Sequence, residues 1–249
     1  MSEHQRSRRH AAGFRCGART YSGVKTVHIA IDGPAASGKT TVARGVAQKL
    51  HALYLDTGAM YRALAYLALH SGTDVDNGNA LARLARLQPI RVKLDEASPL
   101  GFRIFAAARE LSDEMLQSSE VTAIVSTVAA HAEVREMMVR AQREAAEGVS
   151  VVMAGRDIGT VVLPDAELKI FLTASVAARV ARRKAQLQAA GVEVDVRRLT
   201  QEIDERDRLD RTRKVSPLQP APGAHVIDSS DLSAVAVVDE ICRLALAAR

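Results

Sequence analysis

The chain has 249 residues, 47% hydrophobic and 25% charged, which suits a full globular core and excludes a disordered or fibrous class. A net charge of +5 calls for an anionic partner, which nucleotide phosphates satisfy as well as nucleic acid does. With 3% aromatic residues and no Trp, stacking platforms for single-stranded nucleic acid are scarce.

No apolar run approaches the roughly 20 residues that span a bilayer as a helix. Cys16 and Cys242 form no metal or CxxC pattern and read as reduced thiols, so a cytoplasmic protein is expected. Residues 1–24 carry Arg6, Arg8, Arg9, Arg15 and Arg19 with little periodicity. They lack the apolar stretch of a secretory signal. Their Arg-rich, acid-poor composition imitates a transit peptide, but a disordered basic extension or an overlong start is the expected reading.

The apolar run Val27 to Ile31 reads as a strand, and Thr40 to His51 as a helix. Between them stand Gly33, Pro34, Ala35, Ala36, Ser37, Gly38, Lys39, Thr40 and Thr41, with the spacing G-x-x-x-x-G-K-T. A glycine-rich loop between strand and helix lets successive backbone N–H groups converge on phosphate oxygens. The helix adds its positive end, Lys39 reaches the β and γ phosphates, and the Thr40 hydroxyl suits Mg²⁺. A nucleoside triphosphate, ATP by expectation, is the ligand this pattern predicts.

Leu53 to Asp56 reads as a short buried strand and Gly58 to His70 as a helix with Thr57 as its N-cap. Arg62, early on that helix, is placed to grip a phosphate. After a polar loop from Asp74 to Gly78 and a short helix from Ala80 to Leu87, the texture changes. Ile90 to Leu94 and Phe102 to Phe105 alternate apolar and polar residues, as half-exposed antiparallel strands do. Helical pieces follow over Leu111 to Gln117, Glu120 to Ala130 and Glu133 to Glu147.

Core strands return at Val149 to Ala154 and Leu168 to Leu172. The pair Arg156 and Asp157 emerges from the first of these, where a parallel sheet binds ligands. Ser175 to Ala189 and Val196 to Arg213 are basic helices, His225 to Asp228 a last strand and Ser233 to Ala248 a closing helix. In the second basic helix Arg206, Asp210 and Arg213 share a face, while Glu202/Arg206, Asp204/Arg208 and Asp207/Arg211 are spaced for i,i+4 ion pairs. The fold class expected is α/β: a P-loop parallel sheet covered by helices on both faces, with an inserted antiparallel β lobe and a short basic lid. A regulatory GTPase is excluded, because neither Asn77 nor Asn79 is followed by Lys as a guanine-reading N-K-x-D motif requires.

Together, I-D-G-P-A-A-S-G-K-T, L-D-T-G-A-M-Y-R, A-G-R-D-I-G-T-V-V-L-P-D-A and E-R-D-R-L-D-R-T-R closely resemble bacterial cytidylate kinases, from Val27 to the C-terminus. The resemblance implies transfer of the ATP γ-phosphate to CMP or dCMP, assisted by Mg²⁺ and arginines. It implies one nucleoside monophosphate kinase domain over 25–249, with a monophosphate lobe at about 57–147 and a lid at about 178–216. By position, Lys39, Arg156, Arg206 and Arg213 match catalytic residues. Thr57, Arg62, Ser126, Arg135, Arg156, Asp157, Arg206 and Asp210 match acceptor-binding positions, with Ser126, Arg135 and Asp157 reading the base. The plain alternatives are that Ser126 satisfies a helix carbonyl and that Arg135 pairs with Glu133 or Glu136. Thr57 replaces the Ser of many relatives, and G-K-T-T their G-K-G-T; both changes keep the hydroxyl the chemistry uses. A kinase for another monophosphate or a small metabolite shares most of these features. A monomer is expected, with small-molecule substrates and neither nucleic acid nor membrane as partner.

Overall fold

Strand β1 (His28–Asp32) lies at the centre of a five-stranded sheet ordered β2-β6-β1-β7-β8. The other strands are β2 (Leu53–Asp56), β6 (Val151–Gly155), β7 (Leu168–Thr173) and β8 (His225–Asp228); β1 pairs with β6 and β7, β2 with β6 and β8 with β7, all in parallel. Parallel strands need both faces covered, and these are nearly continuous in Val, Ile, Leu and Met. Ile29, Ile31, Leu55, Met153, Ile170 and Leu172 are fully buried. The geometry has one consequence for function: every strand delivers its carboxyl end to the same edge. The structure, a computed structural model, describes residues 26–95, 97–98 and 100–248. The extension expected over 1–24 lies outside the described residues.

Helix α1 (Lys39–Leu50) leaves the phosphate loop and packs on β6 and on the last helix, which spans Ala234–Ala247. Helices α2 (Gly58–Ser71) and α3 (Gly78–Leu87) lead into a second, antiparallel sheet of β3 (Ile90–Leu94), β4 (Phe102–Ala106) and β5 (Arg109–Leu111). Helices α4 (Asp113–Gln117), α5 (Ser119–Val128) and α6 (Ala132–Ala146) return the chain to β6. Leu81, Ile104, Leu116 and Val134 from this region belong to the same buried cluster as the parallel sheet. Helices α7 (Val176–Ala189) and α8 (Val196–Thr212) instead enclose a small cluster of their own, Val180, Leu199 and Ile203. The closing helix is α9.

Serine and aspartate caps set several boundaries: Ser175, Asp195 and Ser233 accept backbone N–H groups at the starts of α7, α8 and α9. Three local expectations fail, and one feature lies outside them. Leu111 is not helical but ends β5, paired with Ile104, because a three-residue strand is too short to show alternation. Thr57 is not a side-chain cap. Its backbone is already helical, its hydroxyl donates to the Ala154 carbonyl at 3.0 Å, and the Asp56 carboxylate takes the Gly58 N–H instead. The stretch after Arg156-Asp157 is a five-residue π-turn, Ile158–Val162, which no periodicity announces. The pairs Glu202/Arg206, Asp204/Arg208 and Asp207/Arg211 do not form; Arg198–Glu202, Arg208–Glu205 and Arg179–Asp207 do.

Gly33 is required where the loop leaves β1. Its φ is +154°, and a Cβ there would stand 2.0 Å from the Leu172 carbonyl oxygen. Backbone cannot yield as a side chain does, so Gly33→Ala should destabilise the fold by about 2–4 kcal/mol in urea denaturation. Gly72→Ala, at φ +65° with no atom within 4 Å of the added carbon, should cost only about 1 kcal/mol.

Candidate active site

Three carbonyls of the loop from Gly33 to Thr40 accept from side chains. The Pro34 carbonyl accepts from Lys39 Nζ at 2.6 Å, the Ala35 carbonyl from Arg179 at 3.2 Å, and the Ser37 carbonyl from Ser229 at 3.3 Å and Arg182 at 3.4 Å. Gly38, at φ +90°, is the N-cap of α1 and offers no side chain to close it. The amides of Ser37, Gly38, Lys39 and Thr40 therefore find no acceptor among the described residues.

Lys39 is buried and bonded only to neutral oxygens, Pro34 carbonyl and Ser37 Oγ at 3.3 Å. Burial, and then the nearby Arg156, depress its ammonium well below the ordinary lysine range. Arg206, on α8, has a buried Nε with no partner and no carboxylate within salt-bridge distance among the described residues. Burial, then Arg156 and Arg62, lower it to about 10. Arg156 donates to Asp210 at 2.7 Å. Burial would raise the Asp210 carboxyl, but Arg156, Arg206 and Arg213 hold it below the usual carboxylate range. Arg62 reaches Asp56 at 3.7 Å. So a group of cations shares too few acids at one sheet edge.

The second half of the edge is built on Asp157. Arg135, fully buried on α6, donates to the Asp157 carboxylate and to the Ala129 carbonyl at 3.1 Å. Arg135 does not pair with Glu133 or Glu136; it lies over the Tyr61 ring, 5.4 Å from its centroid. Arg213 approaches the other Asp157 oxygen at 3.8 Å and keeps a buried, unpartnered Nη2. Ser126 is half-buried on α5, and among the described residues its hydroxyl bonds to no helix carbonyl. The predicted residues thus fall into two groups, Lys39, Arg62, Arg156, Arg206 and Asp210 in one, Arg135, Asp157 and Arg213 in the other. Thr40 and Thr41 are exposed at the loop, and Thr57 is buried with its hydroxyl on the Ala154 carbonyl.

Sequence reasoning passed over three participants. Asp207 accepts from the Ala35 N–H at 3.3 Å and from Arg179 at 2.6 Å, joining α8 and α7 to the loop. The E-R-D run carries the signal, but its i,i+4 spacing predicts a surface pair with Arg211 instead. Tyr61 had no signal beyond its place in the A-M-Y-R run. Asp32 is the third, a 2% exposed carboxylate at the end of β1.

A family model described as "Cytidylate kinase" matches residues 29–246. The chain is 48% identical over 214 residues to the cytidylate kinase of Pelotomaculum thermopropionicum, covering 86% of this chain and 93% of that protein. It is 48% identical over 220 residues to that of Geobacillus kaustophilus, covering 88% and 96%. Against the bifunctional pantoate ligase/cytidylate kinase of Synechococcus sp., identity is 49% over 216 residues; the match takes in 87% of this chain but 40% of that longer protein. Among solved structures, an uncharacterized protein from Eubacterium ventriosum superposes with a TM-score of 0.51 over 90% of this chain and 99% of that one, at 12% identity, a likeness of fold alone.

The unpaired charge makes a prediction independent of any substrate. Inorganic tripolyphosphate at about 100 times its dissociation constant should stabilise the protein by about 2.7 kcal/mol, a rise of several degrees in Tm. Lys39→Met should remove most of that rise, and Lys49→Met, exposed at the far end of α1, should leave it intact. A wild-type Tm indifferent to polyphosphate would contradict an anion site here.

Proposed function

The chain belongs to the cytidylate kinase family, and from that membership we propose that it transfers the γ-phosphate of ATP to CMP or dCMP, giving ADP and the diphosphate. One observation carries the phosphate half of this reading: Lys39 is buried, Arg156 and Arg206 lie half-buried beside it, and the acids among them are fewer than the cations. Leaving such charges unpaired costs several kcal/mol per ion, a cost that phosphates remove on binding.

The residues present fit ATP and Mg²⁺. Unpartnered amides from Ser37 to Thr40 and the lysine above them form an anion cradle. Thr40 offers one exposed hydroxyl oxygen, and no group of three or more His, Cys, Asp or Glu side chains that could hold a metal occurs among the described residues. Mg²⁺ is commonly held by one or two protein oxygens plus substrate phosphates, and Thr40 suits that role. When bound, the ion neutralises charge on the phosphates.

Lys39, Arg156, Arg206 and Arg213 then stabilise the charge that spreads over the phosphoryl oxygens in the transition state, and Arg62 with Arg156 and Arg206 holds the acceptor phosphate. Asp210 orients Arg156 through their 2.7 Å bond. Lid residues Arg179, Arg182 and Asp207 contact the loop directly, which excludes water from the transfer. Asp157 accepts from the cytosine amino group, and Arg135 and Ser126 serve the ring acceptors. Thr57, whose proton is committed to Ala154, can only accept from the ligand. UMP would set a carbonyl oxygen against the Asp157 carboxylate, leaving two acceptors facing each other.

In a coupled ATP-consumption assay against CMP, dCMP, UMP, AMP and GMP, CMP or dCMP should give the highest kcat/KM. Asp157→Ala should narrow the CMP/UMP ratio by roughly 10–100-fold, and Lys39→Ala should lower kcat by about 10³ or more with a smaller effect on CMP binding. Preference for UMP or AMP, or an unchanged ratio in Asp157→Ala, would overturn the base-reading assignment. Phosphoryl transfer to a small metabolite alone would move the chain's acceptor outside the nucleotides.

A further inference from the structure

Asp32 is the last residue of β1, paired in register with Gly155 of β6 on one side and Phe171 of β7 on the other. Its backbone belongs to the sheet, but its side chain leaves it. One carboxylate oxygen accepts the Ile158 N–H and the other the Gly159 N–H, each at 2.8 Å. These are the first two amides of the π-turn, which have no carbonyl partner within it. Asp157 closes the turn from its own end, its carbonyl accepting from Val161 at 2.9 Å and Val162 at 3.2 Å. The chain is therefore pinned at Gly155 by the sheet and at Ile158 by Asp32, with only Arg156 and Asp157 suspended between. Those are the two residues assigned to the acceptor phosphate and the base.

We propose that Asp32 is a positioning residue for the acceptor site, one whose two oxygens fix the span bearing Arg156 and Asp157 to the strand that bears the phosphate loop. This rests on the acceptor reading of those two residues. Neither contacts Asp32 by hydrogen bond or ion pair, so its effect passes through the backbone. The side-chain type follows from the two donors. Only a carboxylate presents an acceptor to each; an amide would turn an NH₂ toward one of them. The arrangement is costly: burial pushes the Asp32 carboxyl up to about 6, against the two amides that hold it down. The charged groups that act on it are Asp157, which opposes its ionisation, and Lys39, which favours it. Protonation near pH 6 puts an O–H against one amide and removes an acceptor, so the span loosens as pH falls. The same shift fixes the sign for stability. A carboxyl raised in the fold contributes most below its unfolded value of 3.8 and loses that contribution as pH rises through about 6.

The test is Asp32→Asn, read by kinetics and by hydrogen exchange. At pH 7.5 the variant should keep or exceed the wild-type Tm. Exchange at Ile158 and Gly159 should quicken about tenfold or more, KM for CMP should rise by about the same factor, the CMP/UMP ratio should narrow, and KM for ATP should stay within about threefold. The wild-type kcat/KM for CMP should fall below about pH 6, and the variant should lack that limb. Unchanged CMP kinetics, base ratio and pH profile would overturn the proposal. If the wild type does not use CMP, the acceptor reading fails, and exchange at the two amides still tests the anchor: no difference between variant and wild type overturns it. If the variant does not fold, wild-type exchange at pH 5 and 7.5, corrected for intrinsic rates, replaces it; equal protection at both overturns the anchor.

Discussion

Five parallel strands place every strand end, and so every following loop, at one edge of the sheet, and that edge gathers more buried and half-buried positive charge than it has acids to neutralise. Lys39, Arg62, Arg156 and Arg206 share Asp56 and Asp210. In water each cation is solvated at no cost; against a protein interior the same cations repel one another, and burial lowers Lys39 and Arg206. The sheet core supplies the rigidity that holds these groups together despite the repulsion. Much of the remaining architecture is a way of stabilising that edge: Asp210 beneath Arg156, the loop carbonyls turned toward Lys39 and the lid, Asp207 between Arg179 and the Ala35 amide.

Features with short-range chemical causes were legible in the sequence. The G-x-x-x-x-G-K-T spacing located the loop, apolar runs located the five core strands, and alternation in Ile90 to Leu94 and Phe102 to Phe105 located two strands of the second sheet. Candidate residues drawn from separate motifs do meet at one edge. Illegible were the features decided by tertiary partners. Arg135 has glutamates beside it in the chain, yet it pairs with Asp157, because only there is it buried and in need of a carboxylate. Asp207 lies in a helix spaced for i,i+4 pairing, and burial against Arg179 outweighs an exposed pair worth a few tenths of a kcal/mol. The π-turn has no sequence period, and its cap, Asp32, stands 126 residues away.

On the proposed reading of Asp157 as the base reader, selectivity and positioning draw on the same groups. Its carboxylate is already engaged by Arg135 and approached by Arg213. A ligand donor would enter an existing network rather than create one, and a preformed network needs less ordering on binding. Tyr61 contributes a ring under the Arg135 guanidinium, and burial pushes its hydroxyl up to about 12, so it stays a neutral platform.

The two regions that flank the site differ in what holds them. The second sheet and its helices share one buried cluster with the parallel sheet, whereas α7 and α8 rest on three buried residues of their own, tied to the phosphate loop by Arg179, Arg182 and Asp207. Swinging the first region away would expose apolar surface of the main core; lifting the second breaks mainly polar tethers. Among the described residues, the α7–α8 pair is thus the region held by the least apolar burial, the part expected to open subglobally while the sheet stays folded, and the segment between α7 and α8 is where such opening would expose backbone to a protease.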